Sequence, residues 1–145
     1  MRVAAEYPES TVECPASLAE LLERTARKLH SRGHAEGMFP AQWAALRYFD
    51  RAQANLRTAS ELARFQGLAN GPVSRTVRTL VQKGLLTKAA DQPRGRAELL
   101  ELSPSGKALL EDDPSRELER VIGSLPAAER DSLAALLERI VSRLP

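Results

Sequence analysis

The stretch from Thr58 to Leu102 constrains this chain more than any other, because within it the spacing of apolar residues switches from helical to alternating at a glycine. Thr58-Ala59-Ser60-Glu61 has the form of a capping box, in which a hydroxyl and a carboxylate satisfy the free backbone donors of a helix start. Leu62 and Ala63 follow, and a short helix should run to about Phe65. Gly67 to Gly71 reads as a turn, and Pro72 suits the first position of a further helix reaching Lys83, with Gly84 as its C-cap. In that helix Val73, Val77, Leu80 and Val81 fall on one side, Arg75, Arg78 and Gln82 on the other, and Ser74 at the boundary. Beyond Gly84, Leu86 and Lys88 lead to Asp91-Gln92-Pro93-Arg94-Gly95, after which Leu100 and Leu102 return in phase, the pattern of a hairpin with a basic tip. A capped short helix, a tight turn, a helix with a free basic face and a hairpin together predict a winged helix-turn-helix, mainly α with a small β-hairpin.

The flanks are helical. Leu18, Leu21, Leu22, Thr25 and Leu29 recur at helical spacing between Ser17, a candidate N-cap, and Gly33, a stop signal. Pro40 can open a second helix, with Trp43, Leu46 and Phe49 on its apolar face, ending near Asn55. Ser103-Pro104 starts helical sequence that Asp113-Pro114 interrupts, with Leu118, Val121 and Ile122 continuing to Gly123. Leu133, Leu136, Leu137, Ile140, Val141 and Leu144 form a stripe on a last helix opened around Pro126. Two terminal helices with wide apolar faces exceed what a winged helix needs to cover, which points to a homodimer. Its expected interface includes Leu18, Leu22, Leu29, Leu133, Leu137, Ile140 and Leu144. The chain then divides into a loose arm (1–16), helical dimerisation segments (17–37 and 105–145) and a winged domain (38–104).

Composition sets the remaining bounds. With 145 residues, 43% of them hydrophobic, the chain can bury a core without disulfides, and Cys14 is its only cysteine. No run approaches the length of about 18 apolar residues that a membrane span requires, and the first residues lack the pattern of a signal peptide, so a cytoplasmic protein without membrane partners is expected. The net charge of +2 hides an asymmetry: residues 51–100 hold nine basic and three acidic side chains, whereas both ends are slightly acidic. A basic middle is the electrostatic footprint of phosphate.

On that reading the second helix of the motif enters the major groove of double-stranded DNA. Arg75 and Arg78 can each offer two donors to guanine O6 and N7, and Ser74 can reach a base edge or a phosphate. Arg94 and Arg96 at the hairpin tip would lie over the minor groove, and Arg57, Arg64, Lys83 and Lys88 would meet phosphates. Trp43, Arg47 and His34 are candidates for lining a ligand pocket, the alternative for Trp43 being plain core. His30 and His34 lie four apart with Gly33 between them and no third ligand nearby, so no metal is expected. Cys14, between Glu13 and Pro15, reads as a surface thiol. Paired carboxylates, a Ser/His/Asp order and a phosphate-cradling glycine loop are all missing, so neither catalysis nor a cofactor is expected.

Pro40-Ala41-Gln42-Trp43-Ala44-Ala45-Leu46, Thr58 to Ala63, Val73-Ser74-Arg75-Thr76-Val77, Leu80 to Leu86 and Arg96 to Gly106 resemble the MarR family of bacterial regulators over roughly residues 38 to 110. The resemblance implies an obligate dimer formed by the first and last helices, a pseudo-palindromic operator, and in many members release by a small-molecule effector or an oxidant; the expected function is a sequence-specific repressor or activator, with repressor the preferred reading. Two stretches depart from the family pattern. Arg94-Gly95-Arg96 stands where an aspartate commonly begins the wing tip, and Pro72 replaces a hydroxyl residue near the start of the recognition helix. The competing reading is a winged-helix protein-interaction module without specific DNA readout, since fold alone does not settle function. The basic middle argues against it.

Overall fold

The computed structural model describes residues 14–93, 95 and 97–145. The chain divides into two compact units, one ending at Asp112 and one spanning Asp113–Pro145. In the first, helix α1 (Pro15–Arg32) is followed by α2 (Pro40–Arg51), α3 (Ala59–Gln66), α4 (Asn70–Gln82), strands β1 (Leu86–Lys88) and β2 (Leu100–Leu102), and α5 (Pro104–Leu109). The second holds α6 (Ser115–Gly123) and α7 (Ala127–Val141). Winged helix-turn-helix architecture is therefore present in the expected order.

Local signals explain most boundaries. The Thr58 hydroxyl accepts from the Glu61 backbone N–H at 3.1 Å and caps α3. Gly67 ends that helix with φ 65°, and the Leu68 N–H then reaches the Ala63 carbonyl, closing a Schellman turn. Gly84, at φ 73°, ends α4 in the same way, with Leu85 N–H bonded to Leu80 O at 3.0 Å. The two turns set where α4 begins relative to α3 and where the chain leaves it for the hairpin.

Four boundaries or placements differ from the sequence expectation. Helix α1 starts at Pro15, with Cys14 as its extended N-cap residue, so Ser17 lies inside the helix. The fixed φ of proline favours the first helical position and outweighs the capping tendency of serine. Helix α2 stops at Arg51 because Ala52 turns extended (ψ 149°), and Ala54–Leu56 form a separate 3-10 turn. Helix α4 opens at Asn70, two residues before Pro72, whose missing N–H costs nothing inside the first turn. Val81, expected on the packed side of α4, is 41% exposed.

The core of the first unit lies between α2, α3, α4 and the hairpin. Trp43, Leu46 and Phe49 from α2 meet Leu62 from α3, Val77 and Leu80 from α4, and Leu86, Leu100 and Leu102 from the strands. Burying each leucine or phenylalanine of this set stabilises the lobe by about 1.5 to 3 kcal/mol, before the conformational entropy cost. Strands β1 and β2 pair antiparallel, Leu86 opposite Leu102 and Lys88 opposite Leu100. The hairpin is fastened to the rest of the lobe on both sides. The Leu100 N–H donates to the Arg57 carbonyl at 2.9 Å, and the Ser103 N–H to the Leu85 carbonyl at 3.0 Å.

In the second unit, Pro114 directly precedes α6 and Pro126 directly precedes α7, as their fixed φ angles require of residues at a helix start. Asp113 accepts from the backbone N–H and the hydroxyl of Ser115, each at 2.9 Å, which closes the turn into α6. No described helix is long and apolar enough to cross a membrane.

Candidate nucleic-acid interface

Helix α4 separates its side chains sharply. Val73, Val77 and Leu80 are buried, Arg75 and Arg78 are exposed, and Ser74 is half-buried between them. Neither guanidinium is engaged by another described residue, so both remain available for an external acceptor. The two threonines of the helix are spoken for. Thr76 Oγ1 donates to the Pro72 carbonyl at 3.2 Å and Thr79 Oγ1 to the Arg75 carbonyl at 3.0 Å, the back-bonding usual for helical threonines. The remaining polar side chains of α4 are Asn70, Ser74, Arg75, Arg78 and Gln82.

The four expected phosphate contacts each have an intramolecular partner. Arg57, half-buried, donates from Nε to the Ala52 carbonyl at 2.9 Å and so bridges the end of α2 to the segment that carries β2. Lys83 Nζ donates to the Gly37 carbonyl at 3.2 Å, tying the end of α4 to the connection between α1 and α2. In that connection Glu36 (φ 57°) and Gly37 (φ 68°) are both left-handed. Arg64 pairs with the half-buried Glu61 at 3.6 Å, and Lys88 with Glu98 at 3.2 Å on exposed surface. Surface pairs of this kind contribute about 0 to 1 kcal/mol, so an arriving phosphate can displace them.

At the wing, Arg94 and Arg96 lie outside the described residues. The base of the wing is held by a residue that the sequence reading did not single out. Gln92 donates from Nε2 to the carbonyls of Ala89 (2.9 Å) and Leu99 (2.7 Å), while its Oε1 accepts from the Leu99 N–H at 2.9 Å. Its amide thus substitutes for a missing rung of the ladder. No spacing rule marks such a glutamine, because its partner lies seven residues away across an irregular loop. Ser103 does a comparable service at the exit, accepting from the Gly106 N–H at 3.0 Å and donating to the Gly84 carbonyl.

The three residues expected to line a ligand pocket are not brought together. Trp43 is 1% exposed and belongs to the core, its indole N–H without a hydrogen-bond partner. It packs there because it continues the buried face of α2 with Leu46 and Phe49. His34 is exposed and meets the edges of the His30 and Phe39 rings. Arg47 alone borders a cavity, of about 540 Å³, between α2, the 52–56 turn and α3. Beside it stand Tyr48, Arg51, Leu56, Arg64 and Phe65. The Tyr48 hydroxyl donates to the Leu56 carbonyl at 2.7 Å, and burial, with the nearby Glu61 charge, raises its pKa above the ordinary phenol value.

Cys14 is half-buried at the start of α1, its Sγ 3.3 Å from the Ser17 hydroxyl. That hydroxyl, with help from the Ser17 and Ala16 backbone N–H groups, holds the thiol pKa below its usual value.

Comparison with known proteins fits this geometry. The model of the MarR family matches residues 36–97. That segment is a MarR-family domain. It takes in α2 to α4 and β1 and ends before β2. Among solved structures, a probable transcriptional regulator from Pseudomonas aeruginosa is 27% identical, with 88% of this chain and 97% of that chain covered and a TM-score of 0.65. The S. aureus MepR–DNA complex gives a TM-score of 0.70 at 21% identity over 90% of this chain and 96% of that chain. PcaV from Streptomyces coelicolor, in complex with its natural ligand, gives 0.66 at 23% identity over 92% and 95%. At these identities MepR and PcaV show a shared fold with this chain. No curated protein matches the sequence.

Proposed function

We propose that this chain is a cytoplasmic, sequence-specific transcriptional repressor that binds a pseudo-palindromic DNA operator as a homodimer and is released by a small ligand. The observation that carries the reading is α4 itself: a helix anchored by Val73, Val77 and Leu80 that turns two unengaged arginines outward within a MarR-family domain. Arg75 and Arg78 read guanine edges in the major groove, Ser74 adds a base or phosphate contact, and the wing arginines Arg94 and Arg96 track the minor groove. Arg64 and Lys88 exchange their carboxylate partners for phosphates on binding, while Arg57 and Lys83 hold the reading elements in place and add their positive charge.

The dimer rests on exposed apolar surface. Leu18 and Leu22 of α1 are 49% and 43% exposed, and Leu137, Ile140 and Leu144 are also exposed, with Leu29 and Leu133 half-buried. Large apolar groups left at the surface of α1 and α7 mark faces that a second copy covers. MepR was solved with DNA and PcaV with its natural ligand, and both partners are carried over to this chain as part of the proposal.

Selection of bound fragments from random duplex DNA at physiological salt, with the mass of the complex measured alongside, tests the whole reading. The expected result is an enriched inverted repeat, its half-sites about one helical turn apart, bound by two chains. Binding without enrichment, lost evenly as salt rises, would replace this reading with the protein-interaction module.

A further inference from the structure

Gly71 is a residue that the fold does not explain. The sequence places it in a turn, where glycine is ordinary, but it lies inside the first turn of α4, which opens at Asn70. Its backbone is not left-handed, unlike that of Gly37, Gly67, Gly84 and Gly95. Nor is it crowded: beyond its chain neighbours and its own helix backbone, a Cβ at Gly71 would meet no heavy atom within 4 Å. Glycine weakens a helix relative to alanine, so at this position it lowers stability without a reason inside the lobe.

The surface onto which the missing side chain opens supplies a reason. Gly71, Arg75, Arg78 and Gln82 are spaced i, i+4, i+7 and i+11 on α4. The glycine therefore extends the stripe of the two unengaged arginines to the N-terminal end of the reading helix. The residues at that end, Leu68 to Pro72, are all exposed and none carries a charge. Leu68 is 57% exposed, and only Asn70 among the five has a polar side chain. A phosphate would find few donors there, since Pro72 also lacks a backbone N–H. An apolar group would find a matching surface.

We infer that the space left by Gly71 receives the 5-methyl group of a thymine in the major groove, which makes Gly71 a specificity-determining residue of the DNA reader. The inference rests on the proposed function and adds one base to it. In a helix-turn-helix the N-terminal residues of the second helix meet base edges. Thymine alone carries an apolar substituent on its major-groove edge, where cytosine has a hydrogen at the same carbon. A methyl group resting on the bare backbone at Gly71, beside the Pro72 ring, leaves the water that surrounds it in free DNA. A side-chain methyl at position 71 would occupy the same space. The position is thus read by shape, with no hydrogen bond, next to the bases that Arg75 and Arg78 read by donors.

The test is a double-mutant cycle between the full chain and its selected operator. Each thymidine of a half-site is replaced in turn by deoxyuridine, which removes only the methyl group, and the parent and Gly71→Ala are titrated on every duplex at physiological salt. For the parent, one replacement per half-site should weaken binding about threefold to fivefold. Gly71→Ala should bind the thymine operator about tenfold more weakly than the parent, and should match the parent on the duplex with deoxyuridine at that one position. Its melting temperature should equal or exceed the parent's. A lowered melting temperature would show that the lobe itself needs the glycine and would overturn the inference. So would a selected half-site without thymine, a parent indifferent to every deoxyuridine, or an effect of Gly71→Ala that is the same on thymine and deoxyuridine DNA. Each of these leaves a selected operator, and with it the proposed function, standing, whereas a parent that selects no operator overturns both.

Discussion

Arg75 and Arg78 occupy successive turns of one exposed face, three residues apart, and each can make a bidentate contact with a guanine. Replacing either by alanine should cost about 1 to 3 kcal/mol on the selected operator and relax base preference at one position, measured by binding to operator variants. Equal losses on operator and random DNA would return both residues to the phosphate-contact class. A second residue-scale prediction concerns Cys14. Because Ser17 hydrogen bonding lowers its thiol pKa, more thiolate is present at any pH below the ordinary value than in a free cysteine. The pH at which iodoacetamide reaction reaches half its maximal rate should lie below that of a free thiol and move upward in Ser17→Ala. A midpoint that stays put would show that the Ser17 hydroxyl does not act on the sulfur.

At the scale of elements, the junction between hairpin and α5 is set by closeness rather than by apolar area. A Cβ on Gly106 would stand 2.2 Å from the Leu85 carbonyl oxygen, a backbone atom that cannot swing aside. The same carbonyl already accepts from the Ser103 N–H, so any movement of it loosens the wing root. Gly106→Ala should destabilise the lobe by about 3 kcal/mol, read as a lowered urea midpoint with unchanged slope. A midpoint within error of the parent would mean that the junction shifts freely. Elements governed by short-range chemistry were legible in the sequence: the Thr58 cap, the glycine turns after α3 and α4, and the break before Pro114 all depend on residues within five positions of one another. The start of helix α1 lies three residues before the expected one, with Cys14 rather than Ser17 as N-cap, because proline and serine signals compete. The contacts that fasten elements together were not legible, since Gln92 to Leu99, Lys83 to Gly37 and Ser103 to Gly84 are pairings that only the folded chain creates. Trp43 shows the same limit at the candidate pocket, since an aromatic on an apolar helix face looks alike whether it lines a cavity or fills a core.

For the whole molecule, the proposed dimer makes function depend on surfaces that do not touch DNA. Two half-sites bound by one dimer add their contacts within a single binding event, so a monomer loses far more than half the affinity. Leu22→Glu and Leu137→Glu each place a charge on an exposed apolar position, where neither change disturbs the buried core of the lobe. Each should shift sedimentation from dimer to monomer and abolish operator binding at concentrations where the parent is saturated. Persistence of the dimer in both variants would place the interface elsewhere. The charge pattern agrees with this division of labour, because the basic residues concentrate in 51–100 while the terminal segments are slightly acidic.

The single tryptophan of the chain gives the lobe an optical gauge of its own. Trp43 is walled off from water with its indole N–H unpaired, so its fluorescence should be blue-shifted in the native protein and move to longer wavelength when the lobe opens. Because this chromophore lies in α2, emission follows the melting of the lobe that carries the reading helix, whereas the ellipticity at 222 nm also counts α6 and α7. If the two signals part company on heating, the difference between them isolates the melting of the C-terminal helices without any label.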